Sequence, residues 1–596
     1  MHRLRARKLA IVLVPALAAL LTVSAVLVAQ SKAPSAAVKP AAKASACAKD
    51  DSGLVLPPGF CATVFADDIG HARHMAVSPA NVVYVNTWSG RYYGNAKSHD
   101  GGFLVALQDK SGHGKADVVE RFGETVQSGG RGGTGIYIYN SGLFVEINDR
   151  IVRYKLPSGS LVPTDAPATV VSGLPLTGDH PMHPFVIDAQ GAMYVDVASA
   201  TNACQTKNRI PKSPGDDPCK ELETRAGIWL YDANKTDQRF SAADRYATGI
   251  RNGEGFAIDA AGLIYVSQHG RDQLYANWPE FYTPDQEATL PAEQFVHLQR
   301  GSDYGWPECY YDTFVQKLVL APEYGGDGKK IGVCAEKVAP VAAFPAHWAP
   351  NGMVRYDQKQ FPERYRNGVF VAFHGSWNRA PYPQGGYNVV FQPLSDGHVS
   401  GPCEIFADGF AGAIKTPSGA AHRPSGVAVG PDGALYVSDD VRGRIYRITY
   451  SGAPFDASKI TACPSLTAGA GEIVSAKAGP PEGTHPDAGK AAAAFPEGAT
   501  PQMVALGKRI YSGQVGGAPC SGCHGDAGQG SALGPALNAK SWLWSDGSVS
   551  GIAKTITEGV AQPKKYRAPM PPFGGAQLTP DQVKALAAYV WTLSHK

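Results

Sequence analysis

Two cysteines and a histidine near the C-terminal end carry the most specific chemical signal in the sequence. Cys520 and Cys523 are separated by two residues and His524 follows at once, in the stretch PCSGCHG. This CxxCH spacing is typical of c-type haem attachment, in which both thiols form thioether bonds and the histidine supplies an axial nitrogen. A zinc-binding or redox CxxC pair is the alternative, which the adjacent histidine disfavours. The motif predicts a covalent haem c.

The second axial ligand of this haem must come from the same part of the chain. The candidates are Met503, Met570 and His595. Met570 lies in APMPPFGG, where flanking prolines would hold a thioether in a rigid loop, and methionine ligation raises the haem potential. The residues at 579–582, TPDQ, then form the capping-box signature of a helix. We predict Met570 as the distal ligand.

Polar residues also recur in short stretches that precede apolar runs elsewhere in the chain. These stretches are RHM (73–75), RGGTG (131–135), GDHPMHP (178–184), RNGEG (251–255), APNGM (349–353) and HRPSG (422–426). Brought to one place, they would form a polar, cationic ring from Arg131, His180, Arg251, Asn252, Asn351 and Arg423. A ring of positive donors favours an anionic, oxygen-rich ligand.

The apolar runs share one recurring phrase. It consists of a small turn residue followed by a short apolar strand that ends in an aromatic–valine pair. The copies are NVVYV (81–85), GLFV (142–145), GAMYV (191–195), GLIYV (262–266), GVFV (368–371) and GALYV (433–437). A preceding strand and a turn make each copy half of a β-hairpin. Six such hairpins predict a six-bladed β-propeller, in which the polar stretches converge at one end of the axis. A β-sandwich is the alternative, but it needs no recurring phrase.

Length and composition divide the chain into several units. At 596 residues it exceeds one ordinary domain, and its net charge of +3 is scattered, which argues against nucleic-acid binding. The basic N-terminus and the apolar run at 9–29 predict a signal peptide or an anchor in the inner membrane, with export to the periplasm in either case. The predicted units are a signal segment (1–30), a tether (31–50), an all-β propeller (51–463), a linker (464–499) and a small all-α cytochrome c domain (500–596).

Eight further cysteines fit an exported protein. Their even number and short gaps predict disulfides between Cys204 and Cys219 and between Cys309 and Cys334, and then Cys47–Cys61 and Cys403–Cys463. Zinc binding is the alternative, but there is no CxxC pair outside the haem motif.

Several of these stretches resemble a known family, the soluble pyrroloquinoline-quinone (PQQ) sugar dehydrogenases. The stretch RNGEGFAIDAAGLIYVSQHGRDQL (251–274) resembles their cofactor-binding blade, and GDHPMHPFVIDAQG (178–191) resembles the blade with their catalytic histidine. FHGSWNR (373–379) is similar to a phrase of sorbosone-dehydrogenase-like members. The resemblance covers roughly residues 51–463, and APMPPFGG resembles the distal loop of class I cytochromes c.

The resemblance implies PQQ as cofactor, since its three carboxylates suit the cationic ring. It implies His180 as the general base that takes the substrate hydroxyl proton while hydride passes to the quinone, and His183 is the alternative base. Arg251 and Asn252 would hold the quinone oxygens and stabilise the developing charge.

The resemblance implies further contacts. These are Gln268 to the cofactor, the backbone carbonyls of His269 and Gly270 to calcium, and Arg423 and Arg379 to PQQ carboxylates. A lysine and an aromatic contact of the glucose-oxidising members have no clear match, so glucose is not assigned as the substrate.

The function predicted from these features is a quinohaemoprotein dehydrogenase. It would oxidise a sugar or a related aldehyde or alcohol by hydride transfer to PQQ, pass electrons to haem c and reduce a downstream cytochrome or respiratory acceptor. One alternative is a calcium-dependent propeller lactonase, which would use carboxylates around an axial metal where this chain has cations. The other is a non-enzymatic binding propeller with an electron-carrier haem domain.

Overall fold

A computed structural model describes two long parts of the chain. The first part comprises residues 51–87, 100–124, 133–156 and 160–469 without 381, 396, 418 and 453; the second comprises 496–595 without 497, 514, 516–519, 526, 531, 532, 540, 567, 568 and 577. The predicted signal segment and tether, Cys47, Arg131 and residues 470–495 of the predicted linker lie outside the described residues. No helix within the described parts is long and apolar enough to cross a membrane.

The first half of the propeller contains three sheets. Strand β1 (Phe60–Ala66) joins the last sheet of the propeller. The first sheet is formed by β2 (Ala72–Val77), β3 (Val83–Thr87), β4 (Leu104–Gln108) and β5 (Val118–Phe122). The second is formed by β6 (Ile136–Tyr139), β7 (Gly142–Ile147), β8 (Arg150–Lys155), β9 (Ala168–Ser172) and β13 (Gln238–Arg239). The third is formed by β10 (Phe185–Ile187), β11 (Ala192–Val197), β12 (Gly227–Asp232) and β14 (Arg245–Thr248).

The second half contains three more sheets and two short hairpins. The fourth sheet is formed by β15 (Gly253–Ile258), β16 (Ile264–Gln268), β17 (Glu293–His297) and β20 (Ala342–Phe344). The fifth is formed by β21 (Pro350–Arg355), β22 (Val369–Phe373), β23 (Asn388–Gln392), β26 (Glu404–Ala407) and β30 (Thr461–Ala462). The sixth is formed by β27 (Pro424–Val429), β28 (Leu435–Asp439), β29 (Ile445–Tyr450) and β1. The hairpins pair β18 (Cys309–Asp312) with β19 (Lys317–Leu320) and β24 (Leu394–Ser395) with β25 (His398–Val399).

The six sheets close into a ring through their first strands. Each first strand contacts the first strand of the next sheet, in the order β2, β6, β10, β15, β21 and β27, and β27 contacts β2. The ring is completed by β1, which pairs with β29 and places Phe60 opposite Tyr450. This arrangement confirms the predicted six-bladed β-propeller.

The recurring phrase forms the second strand of every blade. Its aromatic residues, Tyr84, Phe144, Tyr194, Tyr265, Phe370 and Tyr436, are all buried, and so are the valines that follow them. Neighbouring blades cover both faces of a second strand, so successive residues of the strand must all be apolar. The phrase therefore repeats because each blade packs in the same way between its two neighbours.

An aspartate side chain shapes the turn of two of these hairpins. The Asp259 carboxylate accepts hydrogen bonds from the backbone amides of Ala261 and Leu263, at 2.8 and 2.9 Å. The Asp188 carboxylate does the same for Gln190 and Ala192, at 3.0 and 2.8 Å. These bonds add to the backbone turn bonds of Gly262 to Asp259 and of Gly191 to Asp188, and together they fix the register of the following strand.

Three of the four predicted disulfides are present. They are Cys204–Cys219, Cys309–Cys334 and Cys403–Cys463. Cys61 is also disulfide-bonded, and its predicted partner, Cys47, lies outside the described residues. The pairing read from short gaps is thus confirmed where the structure describes both cysteines.

Helices are few in the propeller and dominate the C-terminal domain. The α-helices are α1 (Leu274–Asn277), α2 (Pro284–Thr289), α3 (Pro501–Tyr511), α4 (Ser521–His524), α5 (Val549–Glu558) and α6 (Pro580–Ser594). Short 3-10 turns are Lys220–Glu223, Ala242–Asp244, Pro322–Tyr324, Gly332–Glu336, Glu363–Tyr365, Ala457–Lys459 and Pro572–Gly575. Helices α3 and α5 both pack on α6, around a core that includes Ile510, Ile556 and Leu586. The predicted capping box of Thr579 and Gln582 begins α6, and the small all-α domain is confirmed.

Candidate functional site

A single cavity receives residues from the propeller axis and from the C-terminal domain. It has a volume of about 430 Å³. The propeller contributes His180, Asn252, His269 and Arg423 among others, and the C-terminal domain contributes Cys520, Cys523, His524 and Met570. Four residues of the predicted ring, His180, Asn252, Asn351 and Arg423, therefore line the same cavity as the haem motif.

His180 faces this cavity in the chemical form that a base requires. Its Nδ1 lies 2.9 Å from the Ser199 carbonyl oxygen and 3.1 Å from the Ser199 hydroxyl. A carbonyl only accepts, so Nδ1 carries the proton and Nε2 keeps its lone pair. Burial, with the positive charge of Arg251, lowers the pKa of His180 well below its ordinary value near 6.5. The imidazole is therefore neutral over the physiological pH range.

His183 has a different environment. It is fully buried and does not line the cavity. Its Nδ1 lies 3.2 Å from a carboxylate oxygen of Glu146, and its Nε2 lies 3.0 Å from the Pro175 carbonyl oxygen. With both ring nitrogens engaged by protein acceptors, His183 links the second and third blades. The geometry favours His180 over His183 as the predicted base.

Arg251 does not reach the cavity. Its guanidinium is buried and donates to the carbonyl and side-chain oxygens of Asn202, at 3.1 and 3.0 Å, to the Gly270 carbonyl at 2.9 Å and to Asp272 at 3.2 Å. The neighbouring Asn252 does line the cavity, and its side-chain oxygen is buried without a hydrogen-bond partner in the described part of the chain. Of this predicted pair, only Asn252 presents a group to a ligand.

Three other arginines supply the cationic lining. Arg73 forms ion pairs with Asp440 at 2.8 Å and Glu254 at 3.0 Å. Arg423 donates to the carbonyls of His374 and Gly375, at 3.1 and 2.6 Å, and forms no ion pair with a described residue. Arg209 is the third. Of these, Arg423 was predicted, whereas Arg73 and Arg209 were not assigned to the site.

Arg379 and Gln268, which the resemblance assigned to the cofactor site, do not line the cavity. Arg379 is fully buried and donates to the carbonyls of Ala288 and Pro383, at 2.6 and 3.0 Å. Gln268 accepts a hydrogen bond from the backbone amide of Arg251 at 3.0 Å. Both shape the surrounding backbone, and neither lines the cavity.

The predicted calcium ligands are only partly available. The Gly270 carbonyl oxygen accepts a hydrogen bond from the Arg251 guanidinium, which puts positive charge where the cation would bind. Within the described residues no group of three or more histidine, cysteine, aspartate or glutamate side chains could hold a metal ion. The predicted ligands are backbone carbonyls rather than side chains of these types, so calcium binding at His269 and Gly270 stays a prediction.

The haem motif is arranged as covalent attachment requires. Cys520 and Cys523 are not disulfide-bonded. Nδ1 of His524 donates to the Pro535 carbonyl at 2.8 Å, which leaves Nε2 free for iron, as in other metal-ligating histidines. Burial raises the pKa of the Cys523 thiol to about 11, and the nearby charge of Arg209 acts in the opposite direction. These residues fit a haem c.

Among the three candidates for the second axial ligand, Met570 lines the cavity. Its backbone exchanges two hydrogen bonds with Val560, at 2.7 and 3.0 Å, which fixes the loop. Met503 is in α3 and does not line the cavity, and the ring of His595 stacks on Trp591 at 3.7 Å. The placement favours Met570.

Met570→Ala is expected to abolish the thioether-to-iron charge-transfer band at the red edge of the oxidised haem spectrum. The reason is that Met570, and not Met503, lines the cavity with the haem motif, whereas Met182, which also lines it, belongs to the propeller. Absorption spectra of the ferric protein check this, with Met503→Ala as the matched control that keeps the band. Loss of the band in Met503→Ala alone would contradict the assignment.

Comparison with known protein families divides the chain into the same two domains, the propeller and the C-terminal helical domain. The TrAA12-like family model matches residues 54–451, and the cytochrome c family model matches residues 504–594. These matches confirm the predicted combination of a propeller of the PQQ sugar dehydrogenase type with a C-terminal cytochrome c domain.

Individual relatives agree with this division. A pyrroloquinoline quinone-dependent pyranose dehydrogenase of Coprinopsis cinerea is 31% identical over 159 residues, 24% of this chain and 21% of that protein. The Cbb3-type cytochrome c oxidase subunit FixP of Sinorhizobium medicae is 40% identical over 78 residues, 13% of this chain and 26% of that protein. The chain thus spans about a quarter or less of either curated relative.

A solved structure supports the fold. The calcium structure of the Trichoderma reesei Carbohydrate-Active Enzymes Family AA12 protein superposes with a TM-score of 0.53 and 16% identity. The superposition covers 67% of this chain and 97% of that one. At this identity, the similarity establishes the fold of the propeller.

Proposed function

The chain belongs to the TrAA12-like family, and on that premise we propose that it oxidises a sugar or a related aldehyde or alcohol with PQQ and passes the electrons to its own haem c. One observation carries the proposal. Asn252 and Arg423, which are predicted to contact the quinone, line the same cavity as the residues predicted to bind the haem. Electrons taken from a substrate at the propeller axis would therefore have a covalently linked acceptor beside them.

The donors in the cavity fit an anionic quinone. The Arg423 guanidinium donates to a backbone carbonyl and forms no ion pair within the described part of the chain, and the Arg73 guanidinium is shared between two carboxylates. The side-chain oxygens of Asn252 and Asn351 are buried without a described partner, so each can accept a hydrogen bond from an N–H or O–H group of a ligand. These four residues would hold PQQ, which when bound supplies a two-electron acceptor for hydride.

His180 would act as the proton acceptor. Its Nδ1–H bond to Ser199 fixes the ring, and Nε2 is the free basic atom. A neutral imidazole can take the hydroxyl proton of a substrate as the C–H bond breaks. The same bond to Ser199 then stabilises the imidazolium, because Nδ1 keeps its acceptor throughout.

Turnover is expected to fall on acidification only below the ordinary histidine pKa. The pKa of His180 is lowered by burial and by Arg251. As the pH falls through that lowered value, Nε2 becomes protonated and can no longer accept a proton. The acid limb of the kcat/KM profile should therefore have an apparent pKa below about 6.5. A limb above that value would mean that another group is the base.

The C-terminal domain would hold the haem. Cys520 and Cys523 would form the thioethers, His524 would supply the proximal nitrogen and Met570 the distal sulfur. This haem supplies one-electron transfer when bound. The resemblance implies calcium as well, and the Trichoderma reesei AA12 protein has a calcium structure.

We also propose export to the periplasm, with or without anchoring through residues 9–29, and a downstream cytochrome or respiratory acceptor. The positive start followed by an apolar run and the disulfides support export.

One experiment tests the proposed function. Purified protein with its haem is mixed with PQQ, with and without calcium, and sugars, aldehydes and alcohols are screened for reduction of the haem absorption bands. We expect reduction with at least one sugar or related aldehyde or alcohol, and none when PQQ is omitted. Reduction that needs no PQQ, or none with any substrate, would contradict the proposal.

A further inference from the structure

Arg209 occupies an unusual position at the cavity. It lies in a long connection between β11 and β12 that the Cys204–Cys219 disulfide closes. Its backbone is left-handed, with φ of 62°, which is uncommon for a residue with a side chain. The Arg209 amide donates to the Gln205 side chain at 2.8 Å, which supports this conformation. The loop thus delivers one guanidinium into the cavity from outside the blades.

The guanidinium bridges two carboxylates from different blades. Its Nε lies 3.0 Å from Asp179, and Nη1 and Nη2 each lie 3.1 Å from Asp272. Asp179 directly precedes His180, so this contact holds the segment that carries the predicted base. Asp272 also accepts from Asn378 at 2.6 Å, which is on the loop after β22. Arg209 therefore links the segment before His180 to Asp272 and, through Asp272, to the loop after β22.

The same guanidinium lies on the haem side. Arg209 and Cys523 line the cavity together. A ferrous haem carries one positive charge fewer than a ferric haem, so a neighbouring cation favours the reduced form, most strongly where water is excluded. Removal of Arg209 would break its ion pair with Asp179, whereas Asp272 would keep its ion pair with Arg251 at 3.2 Å.

We propose that Arg209 is a positioning residue that serves both redox sites: it fixes the His180 segment through Asp179, and its charge stabilises the reduced haem beside Cys523. The first role rests on the proposed function. The second requires only that haem is attached.

Two substitutions in the full chain separate these roles. Arg209→Lys keeps the charge but cannot bridge two carboxylates with a planar fork, and Arg209→Gln removes the charge as well. Arg364→Gln is the matched control, because Arg364 also pairs with a carboxylate, Glu404, but outside the cavity. The haem midpoint potential is measured by redox titration without PQQ or sugar. Turnover is measured with PQQ and an artificial dye acceptor.

We expect Arg209→Gln to lower the haem midpoint potential, and Arg209→Lys and Arg364→Gln to leave it near the wild-type value. We expect both Arg209 variants to lower dye-linked turnover about tenfold or more, since small misplacements of reacting groups are costly. An unchanged potential in Arg209→Gln overturns the role at the haem, and unchanged turnover in Arg209→Lys overturns the positioning role. If the wild-type chain oxidises no substrate, the proposed function fails, and the potential still decides the role at the haem.

Discussion

His180→Ala is expected to lower turnover by a factor of at least about a hundred, the usual scale for loss of a general base, while PQQ binding stays nearly unchanged. The only base that the substitution removes is Nε2, which faces the cavity with its lone pair free. In the proposed site, binding of the anionic quinone would depend on other groups, chiefly Arg423 and Asn252. Steady-state turnover with saturating substrate and a PQQ binding titration measure the two effects separately.

His183→Ala is the matched control for this prediction. The Glu146 carboxylate would still accept from the backbone amides of Thr134, Gly135 and His183, at 2.7 to 2.8 Å. Turnover should therefore remain within a few-fold of the wild-type rate, although some stability is lost. A large loss in His183→Ala with little effect in His180→Ala would reverse the assignment of the base.

The rate of substrate-driven haem reduction is expected to remain unchanged when the intact protein is diluted about a hundredfold. An electron that moves between two sites of one cavity needs no encounter, so its rate constant is first order. Linked partners meet at about millimolar effective concentration, whatever the bulk concentration is. Stopped-flow measurement of the haem bands at saturating sugar and PQQ, from about 10 to 0.1 μM protein, checks this.

An intermolecular route would behave differently over the same range. Its observed rate would fall in proportion to protein concentration, by about a hundredfold. That outcome would show that the haem domain serves another molecule. Addition of free cytochrome c domain to the diluted protein is the control, because it should not accelerate an intramolecular reaction.

The strands and helices could be predicted from the sequence more fully than the side chains that line the cavity. The recurring phrase predicted the six blades because burial between neighbouring blades imposes the same pattern on each second strand. The CxxCH motif predicted the haem residues because thioether attachment fixes their spacing. Both signals are local, so no long-range information was needed.

The polar lining could not be predicted in the same way. Arg251 turns away from the cavity because Asn202 and Asp272, which are distant in sequence, provide its acceptors. Arg209 enters the cavity from a connection between strands, outside the repeat, and is held by Asp179 and Asp272. The hydrogen-bond and ion-pair partners of each arginine decide whether it faces a ligand. The repeat pattern does not predict these partners, because they lie outside the recurring phrase.

The pairing of β1 with β29 has a consequence for how the chain folds. Phe60 lies opposite Tyr450, so the last blade joins the two ends of the propeller sequence. Pairings between distant residues raise the contact order and slow folding. Until residues near Tyr450 have emerged, β1 has no partner, and the sixth blade cannot form. The propeller side of the cavity needs all six inner strands, so it can form only after nearly the whole propeller sequence has been synthesised. Until then, the blades that have already formed expose unpaired strand edges, which are prone to aggregation.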